Sequence, residues 1–118
     1  MNPIQERGKY GESVALHYFL EKGYSLIQQN YRSRWGEIDL ILKSSERPAT
    51  LVFVEVKYRQ STRYGAAIES VSRAKQRKII RTAQDYLLKH EHEGPCRFDI
   101  IGLQTENLCH IENAFECE

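Results

Sequence analysis

The 118-residue sequence has little cysteine, no long apolar run and almost no net charge. Its three cysteines, Cys96, Cys109 and Cys117, are odd in number and far apart, so we expect free thiols rather than a disulfide framework. No segment approaches the roughly 18 consecutive apolar residues of a membrane helix. The first residues lack the apolar core of a signal peptide. We therefore expect a cytoplasmic protein without a membrane segment.

The net charge of +1 excludes a globally basic nucleic-acid binder, although it leaves room for a local basic patch. Internal repeats, low-complexity tracts and linkers are also lacking. The hydrophobic fraction of 41% and the charged fraction of 28% are close to those of soluble globular proteins, which argues against disorder. The length predicts a single domain over residues 1–118.

Apolar periodicity and turn residues predict the element order α-β-β-β-α-β-β. The first helix is predicted from about Asn2 to Lys22, with Pro3 at its first position and Gly23 as its stop. A second helix is predicted over residues 72–90. Strands are predicted over residues 24–32, 37–43, 51–58, 97–103 and 108–115. Short connections between the first three strands favour an antiparallel meander. The sequence thus predicts an α/β protein with a mixed sheet flanked by helices.

The first helix carries a stripe of small residues beside an acid. Gly8, Gly11, Ala15 and Phe19 share one face, so the helix could lie close to the sheet. Glu12 borders this stripe rather than the solvent face. Glu12 is therefore either part of a site beside the sheet or a solvated carboxylate at the helix edge.

Two predicted strands carry charges where a core is expected. In LVFVEVKY, Leu51 to Tyr58, the residues Glu55 and Lys57 continue the face that begins with Leu51 and Phe53. Asp39 interrupts EIDLIL, although aspartate is depleted in strands. If the two strands pair across the SSERPAT turn, Asp39 and Glu55 are cross-strand neighbours. Two carboxylates that close repel each other unless they share a proton or a cation.

A hard divalent cation is the simplest partner for this pair. Mg²⁺ or Mn²⁺ takes carboxylate oxygens and water, and the backbone carbonyl of Val56 could complete the shell. Lys57 could orient or deprotonate a water, or stabilise charge on phosphorus. This set suits phosphodiester hydrolysis. The alternative is an edge strand protected by a Glu55–Lys57 pair, with no catalytic role.

Strict alternation also divides the Asp39 strand into two faces. It places Ile38, Leu40 and Leu42 on one face, and Glu37, Asp39 and Ile41 on the other. We therefore expect the three residues of the first set to pack together.

The segments GEIDLI and FVEVKYR resemble the Asp…Glu-x-Lys signature of restriction-endonuclease-like nucleases, with sixteen positions from Asp39 to Glu55. The segments YGESVALHYFLEKGY, NYRSRWGEIDLI, VFVEVKYR, KQRKIIRTAQDYL and RFDIIG fit in order over most of the chain. The sequence is identified as a member of the YraN-like family of small bacterial proteins related to archaeal Holliday junction resolvases.

This resemblance implies a restriction-endonuclease-like fold with metal held by Asp39 and Glu55 and with Lys57 as the catalytic lysine. It also implies an acid from the first helix, matched by Glu12, and a glutamine from the second, matched by Gln76. The alternative for Gln76 is a helix-edge amide satisfied by water. Junction resolvases act as two-fold dimers, so a homodimer is expected by analogy. Related folds include members that bind nucleic acid without cutting it.

Basic residues cluster around the same elements. The second helix begins with Arg73, Lys75, Arg77, Lys78 and Arg81, and the two charged strands are flanked by Arg32, Arg34 and Arg59. We expect these residues to bind nucleic-acid phosphates, with DNA as the expected form. Interleaved aromatic residues could stack on bases: Tyr31, Trp35, Tyr58 and Tyr64. The alternatives are a non-catalytic nucleic-acid-binding module of the same fold and a protein–protein adaptor with structural carboxylates.

Overall fold

Five strands form one mixed sheet, in the order in which they occur along the chain, within residues 3–58, 71–104 and 107–116 that the computed structural model describes. The elements are α1 (Pro3–Glu21), β1 (Ser25–Ser33), β2 (Gly36–Lys43), β3 (Leu51–Tyr58), α2 (Arg73–Lys89), β4 (Cys96–Gln104) and β5 (Asn107–Phe115). Strands β1 to β3 form an antiparallel meander, β4 is parallel to β3, and β5 is antiparallel to β4. The predicted α/β class and element order are confirmed.

Helix α1 ends where glycine allows the chain to reverse. Gly23 has a φ of +91°, a left-handed conformation that residues with a Cβ rarely adopt. Its N–H donates to the carbonyl of Leu20, and the N–H of Tyr24 donates to the carbonyl of Phe19. These two bonds form a Schellman motif, which satisfies carbonyls that the helix end leaves without partners. The predicted stop at Gly23 is confirmed.

Alternating side chains of β3 divide the core into two layers, one on each face of the sheet. Leu51 and Phe53 pack with residues of α2, while Val52 and Val54 pack with Ala15 and Phe19 of α1. Burial of apolar area on both faces explains why β3 reads as a nearly continuous apolar run. Within the described ranges, neither helix is long and apolar enough to span a membrane.

Helix α1 approaches the sheet closely at Gly11. A Cβ atom at this position would lie only 2.7 Å from Cε2 of Tyr58, at the end of β3. A side chain at this position would force the Tyr58 ring to shift, so glycine favours this contact, in agreement with the predicted small-residue stripe. Because Glu12 follows directly, the close approach also holds that residue near the end of β3.

Strand β2 departs from strict alternation at Asp39. Leu40 shares the α1 side with Leu42, as predicted, but Ile38 packs with Ile41 on the α2 side. The cause lies opposite Asp39 on β1, where Asn30 has a φ of +53° between the pairs Gln29–Leu40 and Tyr31–Ile38. This left-handed residue disturbs the pleat of both strands. The expectation that Ile38 shares a face with Leu40 and Leu42 is therefore wrong.

Candidate functional site

The candidate site lies at the end of the central strand of the sheet. Glu55 is only 6% exposed, although it is charged, and Lys57 follows it where β3 emerges from the core. β3 has β2 on one side and β4 on the other, so the alternative of a charged edge strand is wrong. The Nζ atom of Lys57 is nevertheless 3.3 Å from Oε1 of Glu55.

Asp39 approaches Glu55 from β2, as the sequence predicts. The β2–β3 pairing runs from Lys43–Leu51 to Leu40–Val54, so Asp39 and Glu55 are the next residues on the two strands. One oxygen of Asp39, Oδ2, accepts the backbone N–H of Val56 at 2.7 Å. Burial and the negative charge of Glu55 together raise the pKa of Asp39 to about 7, against the lowering effect of the Val56 N–H.

Glu12 brings a third carboxylate from α1, and Glu37 of β2 is a fourth. Burial raises the pKa of Glu12, against the lowering effect of a hydrogen bond from the side chain of Asn30, and Glu37 and Glu55 also raise it. Both Glu12 and Glu37 contribute to the raised pKa of Asp39. The surrounding carboxylates therefore disfavour ionisation of both Asp39 and Glu12. Glu12 lies near Asp39 and Glu55, which agrees with the prediction of a site beside the sheet rather than a solvated carboxylate at the helix edge.

Two lysines neutralise Glu55, and one of them comes from α2. The Nζ atom of Lys75 is 3.0 Å from Oε1 of Glu55, closer than that of Lys57. Burial lowers the pKa of Lys57, and the neighbouring Lys75 lowers it further, against the opposing effect of Glu55. Burial would also lower the pKa of Lys75, but its contacts with Lys57 and Glu55 raise it.

The donor set suits a cation that keeps water ligands. Among the described residues, no three aspartate, glutamate, histidine or cysteine side chains are arranged as a complete metal centre. Mg²⁺ does not require one, since it is commonly held by one or two carboxylates and several waters. Glu55 is buried and Asp39 is half-buried, and a bound cation would offset the repulsion by which Glu55 raises the pKa of Asp39. The residues present therefore fit a hard divalent ion.

Gln76 and three of the predicted arginines lie along a neighbouring cavity. The side-chain amide of Gln76 donates to the carbonyl of Val71 at 3.0 Å. Gln76 lines a cavity of about 300 Å³ together with Arg73, Arg77 and Arg81. Lys75 lines another cavity, of about 310 Å³, beside Glu37. The one-residue difference along α2 thus directs Lys75, rather than Gln76, to Glu55.

The remaining basic residues surround the turn between β1 and β2. The guanidinium groups of Arg34 and Arg81 lie 4.5 and 4.6 Å from the ring centre of Trp35. Such contacts hold both guanidinium groups near the ring. Arg32 is exposed and pairs with Glu37 at 3.1 Å. Arg59 and Tyr64 lie outside the described residues.

Two of the aromatic residues are used inside the protein. Tyr31 is buried, and its hydroxyl donates to Asp85 of α2 at 2.6 Å. Tyr58 packs against the core on the α1 side. The prediction that Tyr31 stacks on bases is wrong for this structure, because its ring lies within the core. Trp35, at the β1–β2 turn, remains partly exposed.

The element order and the mixed sheet define an α/β protein. This arrangement is consistent with the restriction-endonuclease-like fold. The chain belongs to the uncharacterised protein family UPF0102, whose model matches residues 11–103. It is 47% identical over 113 residues to a UPF0102 protein of Persephonella marina, covering 95% of each chain. It is 45% identical over 112 residues to one of Psychromonas ingrahamii, covering 93% of this chain and 89% of the relative. The predicted YraN-like family is thereby confirmed.

Proposed function

We propose that the protein is a divalent-metal-dependent nuclease that hydrolyses phosphodiester bonds in nucleic acid, with DNA, including branched DNA, as the expected substrate. The observation that carries this proposal is the convergence of Asp39 and Glu55 at the buried end of β3, with Lys57 beside them. If these charges were purely structural, we would expect the positive and negative groups to balance and to leave the pKa of Asp39 near its ordinary value. Here burial and Glu55 instead raise the pKa of Asp39 to about 7.

Asp39, Glu55 and the carbonyl of Val56 would hold Mg²⁺ or Mn²⁺. When bound, such an ion polarises a phosphoryl oxygen and lowers the pKa of a bound water. Glu12 adds negative charge to the same region, which favours cation binding. Asn30 fixes its carboxylate through a side-chain hydrogen bond.

Lys57 supplies the remaining chemistry. Its pKa is lowered by burial and by Lys75, so a larger fraction of its amine is neutral than for an exposed lysine. A neutral amine can accept a proton from an attacking water, and the ammonium form can stabilise the negative charge that develops on phosphorus. Both roles require Lys57 at the partly exposed end of β3, where the structure places it.

Substrate binding is assigned to the arginines of α2 and of the β1–β2 turn. Arg73, Arg77 and Arg81 follow one another at four-residue spacing and line the same cavity. Arg34 extends this basic surface through Trp35. A row of guanidinium groups can follow a phosphate backbone and confers salt-dependent affinity.

Cleavage assays on branched, single-stranded and duplex DNA, in Mg²⁺ and in Mn²⁺, test the proposal. We expect Asp39→Asn and Lys57→Ala each to reduce the rate by about 10²–10³-fold, since the first removes a metal ligand and the second removes the group that acts on the water or the phosphate. Glu46→Gln is the matched control, because Glu46 is an exposed acid in the β2–β3 connection. Cleavage undiminished in both site variants would indicate a contaminating nuclease and refute the proposal. Salt-sensitive binding without cleavage in either metal would instead establish the non-catalytic module.

A further inference from the structure

Glu55 has two lysine partners, whereas the nuclease signature accounts for one. Lys57 and Lys75 both contact Oε1 of Glu55, and the shorter distance, 3.0 Å, belongs to Lys75. A single buried carboxylate needs only one unit of positive charge to be neutral. The second ammonium therefore serves the site as a whole, where the negative charge of Asp39 also acts on Lys75.

The position of Lys75 in α2 is unfavourable for the helix itself. Ser72 is the N-cap, and its hydroxyl oxygen accepts the N–H of Lys75 at 3.2 Å, which places Lys75 in the first turn. Acids are favoured in that turn because the helix N-terminus carries partial positive charge, and this turn contains none. At the third helical position, glutamate would complete a capping box. A lysine there points to a role outside the helix.

Lys75 also has room to move. Its side chain is 40% exposed, against 7% for that of Glu55. It lines the cavity of about 310 Å³ that opens between α2 and the start of β2. Rotation about its four side-chain bonds can carry the ammonium from Glu55 into this cavity without movement of the helix.

We propose that Lys75 is a displaceable counter-ion of the site. Its ammonium pairs with Glu55 while no divalent cation is bound, and it turns to a phosphate of the nucleic acid once a cation occupies Glu55. The inference rests on the proposed function. It explains the second lysine, because the ammonium neutralises Glu55 in one state and binds substrate in the other. The N-terminus of α2, beside Lys75, favours a phosphate at the same place.

Manganese binding without DNA tests the first half of the proposal. We expect Lys75→Met to bind Mn²⁺ about fivefold more tightly than wild type in a calorimetric titration, because a competing ammonium is lost. Lys75→Arg keeps the charge and should stay close to wild type. Lys78→Met is the matched control, since Lys78 lines the same cavity and its loss should leave Mn²⁺ affinity unchanged.

Binding of a DNA duplex in Ca²⁺ tests the second half, with the DNA checked for integrity after each titration. We expect Lys75→Met to weaken binding and to reduce the slope of log affinity against log salt by about one, as for the loss of one phosphate contact. The two readouts thus move in opposite directions, which a merely structural role would not produce. Unchanged or weaker Mn²⁺ binding by Lys75→Met, or unchanged DNA binding, would overturn the inference while wild-type cleavage upholds the proposed function. Absence of Mn²⁺ binding by the wild type would overturn both.

Discussion

Two aspartates lie within strands of the same sheet, and their surroundings are opposite. Asp39 on β2 contributes to the candidate site, whereas Asp99 on β4 is only 1% exposed and forms its hydrogen bonds with residues of β4 and β5. Each lies near an asparagine with a φ of +53°, Asn30 on β1 and Asn113 on β5. A left-handed asparagine therefore accompanies both acids, which differ in burial and in their partners.

Asp99 is surrounded by donors. Arg97 donates to both of its oxygens at 2.8 and 3.0 Å, His110 Nε2 lies 2.7 Å from Oδ2, and the N–H of Asn113 donates to Oδ1 at 3.0 Å. Burial would raise the pKa of Asp99, but these bonds hold it below the ordinary value. Asp39 accepts the N–H of Val56, but burial and the negative charge of Glu55 outweigh this bond, so its pKa is raised instead. Hydrogen bonds compensate the charge of Asp99, as expected of a structural carboxylate. The charge of Asp39 is poorly compensated, as expected of a carboxylate that receives a cation.

The largest effect on stability is expected from Asp99→Asn, which removes the fully hydrogen-bonded carboxylate of the two. Leaving Arg97 and His110 without their carboxylate should lower the free energy of unfolding by about 3–5 kcal/mol. Because the pKa of Asp99 is lower in the folded state, its contribution is present above its unfolded pKa and is lost as the pH falls through the folded value. Urea unfolding near neutral pH and near pH ~3 should therefore show a smaller acid loss in the variant than in the wild type.

Glu112→Gln is the control for Asp99→Asn. Glu112 also pairs with Arg97, at 3.0 Å, but its side chain is 61% exposed. Its loss should cost less than about 1 kcal/mol. If Asp99→Asn costs no more than Glu112→Gln, the donors around Asp99 contribute little and the comparison fails.

The same substitution at the candidate site, Asp39→Asn, should change the free energy of unfolding in the opposite direction. The folded pKa of Asp39 is raised to about 7, so wild-type stability should fall as the pH rises from the unfolded pKa towards that value. In chelator at mildly alkaline pH, we expect the variant to be more stable than the wild type by about 1–3 kcal/mol. Added Mg²⁺ should stabilise the wild type and not the variant. A less stable variant under these conditions would show that the Asp39 charge is satisfied after all.

The strand faces, the helix ends and the position of Asp39 opposite Glu55 were predictable from the sequence. The alternation of LVFVEVKY assigns its faces, Gly23 and Ser72 mark helix ends, and the hairpin spacing brings Asp39 opposite Glu55. These are local patterns, and they survive folding because each element obeys its own propensity. Glu12 could be placed near the sheet because a small-residue stripe must face something close.

The partners of the two aspartates were not predictable in the same way. RFDIIGL places an aspartate in a strand just as EIDLIL does, so depletion of aspartate from strands marks both. His110 and Asn113 lie on the next strand, and a bulge in the β4–β5 pairing determines which of their groups reach Asp99. Pattern alone therefore cannot separate a structural acid from a functional one.

Lys75 and Gln76 show the same limit on a helix. Adjacent residues differ by about 100° around the helix axis, so a small rotation decides which side chain faces Glu55. From the sequence, Lys75 was expected to bind nucleic-acid phosphate, and Gln76 was expected to lie at the site of Asp39 and Glu55. A usable signal was present, since a lysine at the third position after a serine N-cap is unfavourable there.

The smallest effect is expected from Tyr18→Phe, which measures how far the satisfied network of Asp99 extends. The hydroxyl of Tyr18 lies 2.8 Å from His110 Nδ1 and accepts a hydrogen bond from Lys22 at 3.0 Å. Its loss should cost about 0.5–1.5 kcal/mol, because the bond is only partly buried. Tyr10→Phe on the same helix is the control, and we expect no change because Tyr10 is 62% exposed. If Tyr18 acts through His110 on Asp99, its cost should shrink in the Asp99→Asn background, and strict additivity in urea unfolding would show that the network ends at His110.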